Sequence, residues 1–123
     1  MTKLAKVVVV VDDNAGILKS VARFLIVHGF EVRMFNSAEA LIDSGDVEAA
    51  TCLLLDINLG TGMSGIDLQR LLAESGSKCP VIFMTATDDN TTLNKAVAAG
   101  CVACLQKPFE PKLLLDTIKN ALA

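Results

Sequence analysis

The sequence predicts a doubly wound α/β domain with five parallel strands and helices on both faces of the sheet. Short β-rich apolar runs alternate with longer segments of helical spacing, with no linker or internal repeat between them. The first run is nearly continuous valine, as expected for a strand covered on both faces. The 123 residues, 52% of them hydrophobic, suffice for one buried core and are too few for two ordinary domains.

The first half of the chain contains three predicted strands and two helices. An apolar run from Leu4 to Val11 predicts the first strand. Apolar residues at helical spacing predict a helix from Ala15 to His28, and Gly29 is suited to the position that ends it. The remaining elements are a strand from Phe30 to Phe35, a short helix capped by Ser37 and running through Ile42, and an apolar strand from Cys52 to Leu55.

The second half begins with a glycine-containing loop at 60–65, after which a helix is predicted through about Glu74. The apolar run from Pro80 to Met84 predicts the fourth strand. Capping residues and a terminal glycine bound the next helix, and a proline marks the first turn of the last one. These elements are a helix capped within 88–90 and ending at Gly100, a fifth strand from Cys101 to Leu105, and an amphipathic helix from Lys112 to Leu122 after Pro111.

Composition excludes several classes of protein. The net charge of −3 disfavours direct binding to nucleic acid, because the summed field repels phosphates. The longest apolar stretch, Val7 to Val11, is far too short to cross a bilayer, and Met1 to Lys6 lacks the apolar run of a signal peptide. We therefore expect a cytoplasmic protein with no membrane partner and with its four cysteines reduced.

Polar residues stand where four of the five predicted strands end: Asp12 and Asp13, Asp56, Thr85, and Lys107. In a parallel sheet these strand ends meet at one edge, where ligands of doubly wound folds bind. Three carboxylates in a partly desolvated cleft repel one another unless a cation compensates, so a divalent ion is expected there. All-oxygen ligands completed by water and phosphate suit Mg²⁺ better than Ca²⁺.

With a metal ion and a lysine to neutralise phosphoryl oxygens, one carboxylate is placed to act as a nucleophile and form an aspartyl phosphate. Asp56 is the best candidate, because it stands alone at the end of the central strand. Asp12 and Asp13 lie side by side, as metal ligands do. The alternative is that the pair merely caps a helix and Asp56 is an exposed strand end.

Five segments together resemble the receiver domain of bacterial two-component response regulators, over essentially all 123 residues. Each segment alone is weakly specific, whereas all five in order are highly specific. They are Val-Val-Asp-Asp-Asn at 10–14, Leu-Leu-Asp-Ile-Asn-Leu at 54–59, Met-Ser-Gly at 63–65, Phe-Met-Thr-Ala at 83–86, and Leu-Gln-Lys-Pro-Phe at 105–109. The resemblance implies a flavodoxin-like sheet with strand order 2-1-3-4-5 and phosphoryl transfer from a histidine kinase to Asp56.

The resemblance also implies roles for the other residues of this edge. Asp13, Asp56 and the backbone carbonyl of Asn58 would hold Mg²⁺, with Asp12 acting through a bound water. Thr85 and Lys107 would contact the phosphoryl oxygens, and the small Ala86 would leave room for them. The Lys107-Pro108 bond is expected to be cis, as is typical of the family.

The sequence departs from the family pattern at two places. Gly60 stands where the family usually has proline, and Met63 lies one residue later than usual, so the loop after Asp56 is lengthened by one residue. Cys104 stands where an aromatic residue of the fifth strand commonly reports the phosphorylation state. We therefore expect this chain to lack the usual aromatic readout.

The cysteines and the histidine have alternative interpretations. Cys101 and Cys104 form a C-x-x-C pattern, but on a strand the two side chains would point to opposite faces, which favours buried small residues over a redox pair. A thiol cluster near the strand starts lacks a fourth ligand for zinc. His28, near the end of the first helix, has no surrounding group that would make it a phosphorelay histidine.

The leading hypothesis is a single-domain switch spanning residues 1–123, with no output domain, which is a phosphoacceptor and not an enzyme beyond self-phosphorylation and autodephosphorylation. Its expected partners are a sensor histidine kinase or phosphotransfer protein and a downstream protein target. A phosphorylation-independent adaptor on the same fold would have lost residues of the acidic edge, and none is lost. A flavodoxin-like nucleotide binder or small hydrolase would need a glycine-rich loop after the first strand, where this chain is acidic.

Overall fold

The computed structural model of the protein describes residues 6–122. Five strands alternate with five α-helices along this part of the chain. The elements are β1 (Val7–Val11), α1 (Ala15–Val27), β2 (Glu31–Phe35), α2 (Ala38–Ser44), a 3₁₀ helix (Asp46–Ala49), β3 (Cys52–Asp56), α3 (Gly65–Glu74), β4 (Val81–Thr85), α4 (Asn90–Ala99), β5 (Ala103–Gln106) and α5 (Pro111–Leu122).

The strands form one parallel sheet in the order β2-β1-β3-β4-β5. This order and the two-sided cover of helices confirm the predicted doubly wound, flavodoxin-like class. Strand order reverses between β1 and β3, since the chain moves outward in one direction to β2 and then in the other to β4 and β5. The ends of β1 and β3 therefore lie at the switch point where such sheets bind ligands.

The core lies in two layers, one on each face of the sheet. Alternate valines of β1 point to opposite layers: Val9 and Val11 pack in the layer under α2, α3 and α4, while Val8 and Val10 pack in the layer under α1 and α5. All four are fully buried. A central parallel strand has no solvated face, which is why its sequence is continuously apolar instead of alternating.

Several predicted boundaries move by one or two residues. The start of β1 predicted at Leu4 and Ala5 lies outside the described residues, and β1 begins at Val7. The first helix ends at Val27, and His28 is its C-cap. The second strand begins at Glu31, one residue later than expected, and α2 continues two residues past the predicted end at Ile42.

Two further differences have a clear cause. The 3₁₀ helix at Asp46–Ala49 was not predicted, because four residues carry too little periodicity to signal a helical turn. The fifth strand is Ala103–Gln106, so the predicted start at Cys101 is wrong. Gly100 adopts φ +90° as the C-cap of α4, and Cys101 is used in the change of direction from helix to strand.

Candidate functional site

The polar residues at the strand ends converge at the carboxyl edge of the sheet, as predicted. Asp12 directly follows β1, Asp56 and Thr85 are the last residues of β3 and β4, and Lys107 follows β5 by one residue. The edge is closed from solvent to an unusual degree for charged groups, since Asp12, Asp56 and Thr85 are the buried polar residues of the described chain, at 0%, 6% and 3% exposure.

The Lys107 ammonium joins two of the carboxylates. Its Nζ lies 2.7 Å from Asp12 Oδ2 and 2.8 Å from Asp56 Oδ2, so the lysine forms a salt bridge with each aspartate. The lysine side chain is 15% exposed. A buried carboxylate is tolerated when it is paired and hydrogen-bonded, and here one cation serves two acids.

Backbone N–H groups hold the other oxygens of the same two aspartates. The Asn58 N–H donates to Asp56 Oδ1 at 3.0 Å, and the Asn14 N–H donates to Asp12 Oδ1 at 2.9 Å. Each contact spans two residues, a local turn that fixes the carboxylate plane at the strand end. These two donors were not identified from the sequence, because any residue at positions 14 and 58 other than proline supplies the same N–H.

Burial and charge act in opposite directions on this pair. Burial is the main cause that raises the pKa of Asp56, with Asp12 raising it further, while the hydrogen bond from Lys107 opposes the shift. Burial alone would lower the pKa of Lys107, but its hydrogen bonds to Asp12 and Asp56 outweigh burial and raise the pKa. The lysine is therefore held charged beside an acid whose charge is only partly compensated.

The donor set at this edge fits a hard divalent cation. One carboxylate oxygen from each of Asp12, Asp13 and Asp56 lies within 4.8 Å of the others, and residues 6–122 contain no second group of three or more acidic, histidine or cysteine ligands at such spacing. Three carboxylates face one ammonium, so the site carries excess negative charge. All-oxygen ligands with room for water suit Mg²⁺.

Thr85 and Asn58 also lie at this edge of the sheet. Neither the Thr85 hydroxyl nor the Asn58 backbone carbonyl is hydrogen-bonded to the acidic cluster. The Thr85 hydroxyl accepts the Thr87 N–H at 3.1 Å, and within residues 6–122 it forms no hydrogen bond to Asp56. Asn58 presents its N–H to Asp56, and its backbone carbonyl forms no hydrogen bond within that range. The Asn58 carbonyl oxygen, predicted to hold a metal ion, is thus not used within the described residues, while the Thr85 hydroxyl, predicted to contact a phosphoryl group, accepts one local backbone bond.

The loop after Asp56, residues 57–64, is built around glycines. Gly60 adopts φ +77°, a backbone conformation that proline cannot reach with its φ fixed near −65°, which accounts for glycine where the family usually has proline. At the far end of this loop, a Cβ atom on Gly65 would lie 2.2 Å from the Asp56 backbone oxygen. The close approach of α3 to the end of β3 therefore requires glycine at position 65.

Replacing Gly65 with alanine is expected to destabilise the fold by about 1–3 kcal/mol, because the new methyl group meets backbone that cannot move without shifting β3 or α3. Urea denaturation measures the change. Ala substitution of Ser75, the exposed C-cap of the same helix, is the control and should have a smaller effect. Equal stability of Gly65→Ala and the parent protein would contradict the close approach.

Comparison with known proteins decides the family. A model of the response regulator receiver domain matches residues 8–119. The chain belongs to that family. Receiver domains are components of two-component systems, in which response regulators interact with histidine kinases, and the acidic cluster described above is of a kind that could bind a metal ion.

Named relatives of this receiver domain are response regulators. It is 35% identical to response regulator protein TmoT of Ectopseudomonas mendocina over 99% of its own length and 55% of TmoT. It is 37% identical to transcriptional regulatory protein TdiR of Thauera aromatica over 97% of its length and 52% of TdiR. The chain thus spans about half the length of these relatives.

Solved structures show the same fold. The BeF3-activated DrrB receiver domain matches with a TM-score of 0.87 and 31% identity, over 97% of this chain and 98% of that chain. A CheY-like receiver domain protein from Methanospirillum hungatei JF-1 matches with a TM-score of 0.87 and 27% identity, over 97% and 94% of the two chains.

Outside the acidic edge, the cysteines of the receiver domain do not form a ligand cluster. Cys101 and Cys104 both pack against the core layer under α4, so the prediction that they face opposite sides is wrong, because Cys101 precedes the strand. Burial raises the pKa of Cys52 to about 12 and that of Cys79 to about 11, which keeps both thiols protonated at neutral pH. All four cysteines are unpaired.

His28 has a local structural role. Its ring Nδ1 lies 2.9 Å from the Phe24 carbonyl, and the His28 and Phe24 rings pack in a tilted arrangement with centroids 4.4 Å apart. The nitrogen therefore satisfies a carbonyl of the last helical turn.

None of the helices between residues 6 and 122 has the length and apolarity needed to cross a bilayer.

Proposed function

We propose that Asp56 accepts a phosphoryl group and that this receiver domain acts as a phosphorylation-controlled switch. One observation carries the proposal: a buried aspartate at the switch point of the sheet is hydrogen-bonded to a lysine and flanked by two further acids. A buried acid with a raised pKa that is linked to a specific cation, at an edge where ligands bind, is characteristic of a functional group.

The proposed reaction is a phosphoryl transfer to a carboxylate oxygen. An Asp56 oxygen forms a bond to phosphorus while the bond from phosphorus to a phosphohistidine nitrogen breaks, and the electron pair of that bond stays on the imidazole. Lys107 is already within hydrogen-bond distance of Asp56 and is placed to offset charge on the phosphoryl oxygens. The Thr85 hydroxyl, at the end of the adjacent strand, is the second proposed contact for these oxygens.

Asp13, Asp56 and the Asn58 carbonyl are the proposed Mg²⁺ ligands, with Asp12 acting through water. Bound Mg²⁺ would supply positive charge that neutralises the carboxylates and the phosphoryl oxygens. The protein itself positions the acids. Lys107 and the backbone N–H groups fix Asp12 and Asp56, while Asp13 stays exposed and able to bind the metal ion.

The proposed partners are a sensor histidine kinase or phosphotransfer protein as donor and a downstream protein as target. We propose no direct contact with nucleic acid by this domain, because its net charge is −3. FixJ of Rhizobium meliloti, 33% identical over 91% of this chain and 54% of its own length, is named a transcriptional regulatory protein. A cytoplasmic location and the lack of enzymatic turnover of a separate substrate stay predictions.

Intact-mass measurement after exposure to a small phosphodonor with Mg²⁺ tests the proposed function. The expected result is the mass increase of one phosphoryl group, lost on mild alkaline treatment as acyl phosphates are. Excess chelator should prevent the increase, since three carboxylates would then face the incoming group. Labelling that persists in chelator would contradict the metal requirement.

Mg²⁺ is expected to raise the melting temperature of the protein at neutral pH, because an ion that binds only the folded acidic cluster stabilises the fold by RT ln(1 + c/Kd), where c is the Mg²⁺ concentration. Asp13→Ala should remove most of this shift, and Asp116→Ala, at an exposed position on α5, should leave it unchanged. Thermal melts across a Mg²⁺ titration measure both. A melting temperature that is independent of Mg²⁺ into the high millimolar range would argue against a site here.

A further inference from the structure

The loop at 57–64 is held from outside by a carboxylate of α2. The Met63 N–H donates to Glu39 Oε2 at 3.0 Å, a contact between residues 24 positions apart in the sequence. A Cβ atom on Gly62, which has φ +90°, would lie 3.1 Å from the same oxygen. The Glu39 carboxylate therefore rests directly against the backbone of two consecutive loop residues.

The other end of this loop lies at the acidic site. The Asn58 N–H bonds Asp56, and the Asn58 side-chain oxygen accepts the Gly60 N–H at 3.1 Å. A Cβ atom on Gly60 would lie 3.2 Å from Asp13 Oδ2. The loop is thus bounded by the phosphorylation and metal residues on one side and by Glu39 on the other.

Among the described residues, Met63 is the one other residue that forms a hydrogen bond with the Glu39 side chain. Its side chain is exposed, and none of the salt bridges formed within residues 6–122 includes it. The hydrogen bond from Met63 is the main cause that lowers the pKa of Glu39, so the carboxylate is charged at neutral pH. Its position in the first turn of α2 also favours a negative charge, but that effect does not require contact with the loop.

We propose that Glu39 is a positioning residue for the Asp56 site: by accepting the Met63 N–H it fixes the 57–64 loop, and so sets Mg²⁺ affinity and the rate of phosphorylation. The inference rests on the proposed function. The physical link is the loop backbone. Asn58 and Gly60 can keep one position beside Asp56 and Asp13 only while the loop between them and α3 has one conformation.

Three variants separate this role from a general effect on α2. Glu39→Ala removes the acceptor, Glu39→Gln keeps an oxygen acceptor of the same length without the charge, and Asp43→Ala removes an exposed carboxylate from the same helix. For each, the measurements are amide exchange of Met63 without metal, the half-saturating Mg²⁺ concentration (Kd) fitted to the dependence of the melting temperature on Mg²⁺ concentration, and the rate of acyl phosphate formation from a small phosphodonor.

Glu39→Ala is expected to speed Met63 exchange and raise the half-saturating Mg²⁺ concentration, each by roughly three- to ten-fold, the effect of one lost hydrogen bond. Phosphorylation should slow in parallel. Glu39→Gln should remain near the parent protein, since the acceptor is retained, and Asp43→Ala should not differ from it. Rescue by glutamine is a result that a purely electrostatic effect on the helix would not give.

Unchanged Met63 exchange in Glu39→Ala would overturn the proposal, and so would faster exchange with unchanged Mg²⁺ half-saturation. Glu39→Gln that behaves like Glu39→Ala would overturn the hydrogen-bond basis. If the parent protein takes up no phosphoryl group at all, the proposed function fails, while Met63 exchange and the Mg²⁺ titration still decide the role of Glu39.

Discussion

Asp56→Asn is expected to abolish the phosphoryl mass increase completely. The amide has no free carboxylate oxygen to form the acyl phosphate, and the roles proposed for Asp12 and Asp13 are to hold Mg²⁺. Intact-mass spectra of the variant and the parent protein, after the same treatment with phosphodonor and Mg²⁺, measure the effect. Undiminished labelling of Asp56→Asn would refute the proposal that Asp56 is the phosphoacceptor.

Loss of label must be separated from loss of fold. Asp116→Asn makes the same chemical change at an exposed position on α5 and should label like the parent protein. Asp56→Asn should unfold at a urea concentration no lower than the parent protein without Mg²⁺. Asparagine fills the same space without the desolvated charge whose burial raises the pKa of Asp56.

Lys107→Met is expected to destabilise the metal-free protein by about 3–5 kcal/mol at neutral pH, because it removes the one cation bonded to two buried carboxylates. Methionine preserves much of the apolar stem of the lysine, so the lost free energy of unfolding measures the effect of removing the positive charge. Urea denaturation in chelator measures it. The double variant Lys107→Met with Asp56→Asn should recover part of the loss, since only one buried acid then lacks a partner.

The loss caused by Lys107→Met should shrink as the pH falls. The folded-state pKa of Asp56 is raised above its ordinary value of 3.8, so its folded form holds the proton more tightly than the unfolded chain. That preference stabilises the fold below the ordinary pKa and is lost as the pH rises through the folded one. Removing Lys107 takes away the contacts that lower the pKa of Asp56. The folded-state pKa of Asp56 then rises further, and the pH range in which its protonation stabilises the fold extends upward. A loss that is equal at neutral and mildly acidic pH would contradict its origin in the uncompensated charge of the buried carboxylates.

Most of the fold could be predicted because the sheet is parallel and central. The valine run of β1 indicates a strand without a solvated face, and polar residues at the ends of β3 and β4 mark where that buried environment stops. Glycine at position 100 correctly predicts the end of α4. The start of β5 was misplaced because the residues between that glycine and the strand are as apolar as the strand itself.

The acidic site was predicted as a set of residues but not as a set of contacts. Strand ends in a parallel sheet must converge, so the approach of Asp12, Asp56 and Lys107 follows from topology. The contact of Glu39 with Met63 does not, because it joins an exposed helix residue to a loop whose path depends on positive-φ glycines. The need for glycine at position 65 likewise depends on how closely α3 approaches β3.

The most direct test of the central claim is to locate the phosphoryl group in the parent protein. Borohydride reduction of the phosphorylated protein converts an aspartyl phosphate to homoserine, and peptide sequencing by mass spectrometry then identifies the residue. Homoserine is expected at position 56, and only after treatment with phosphodonor and Mg²⁺. Homoserine at position 12 or 13, or a phosphoryl group that survives reduction on a serine or threonine, would contradict it.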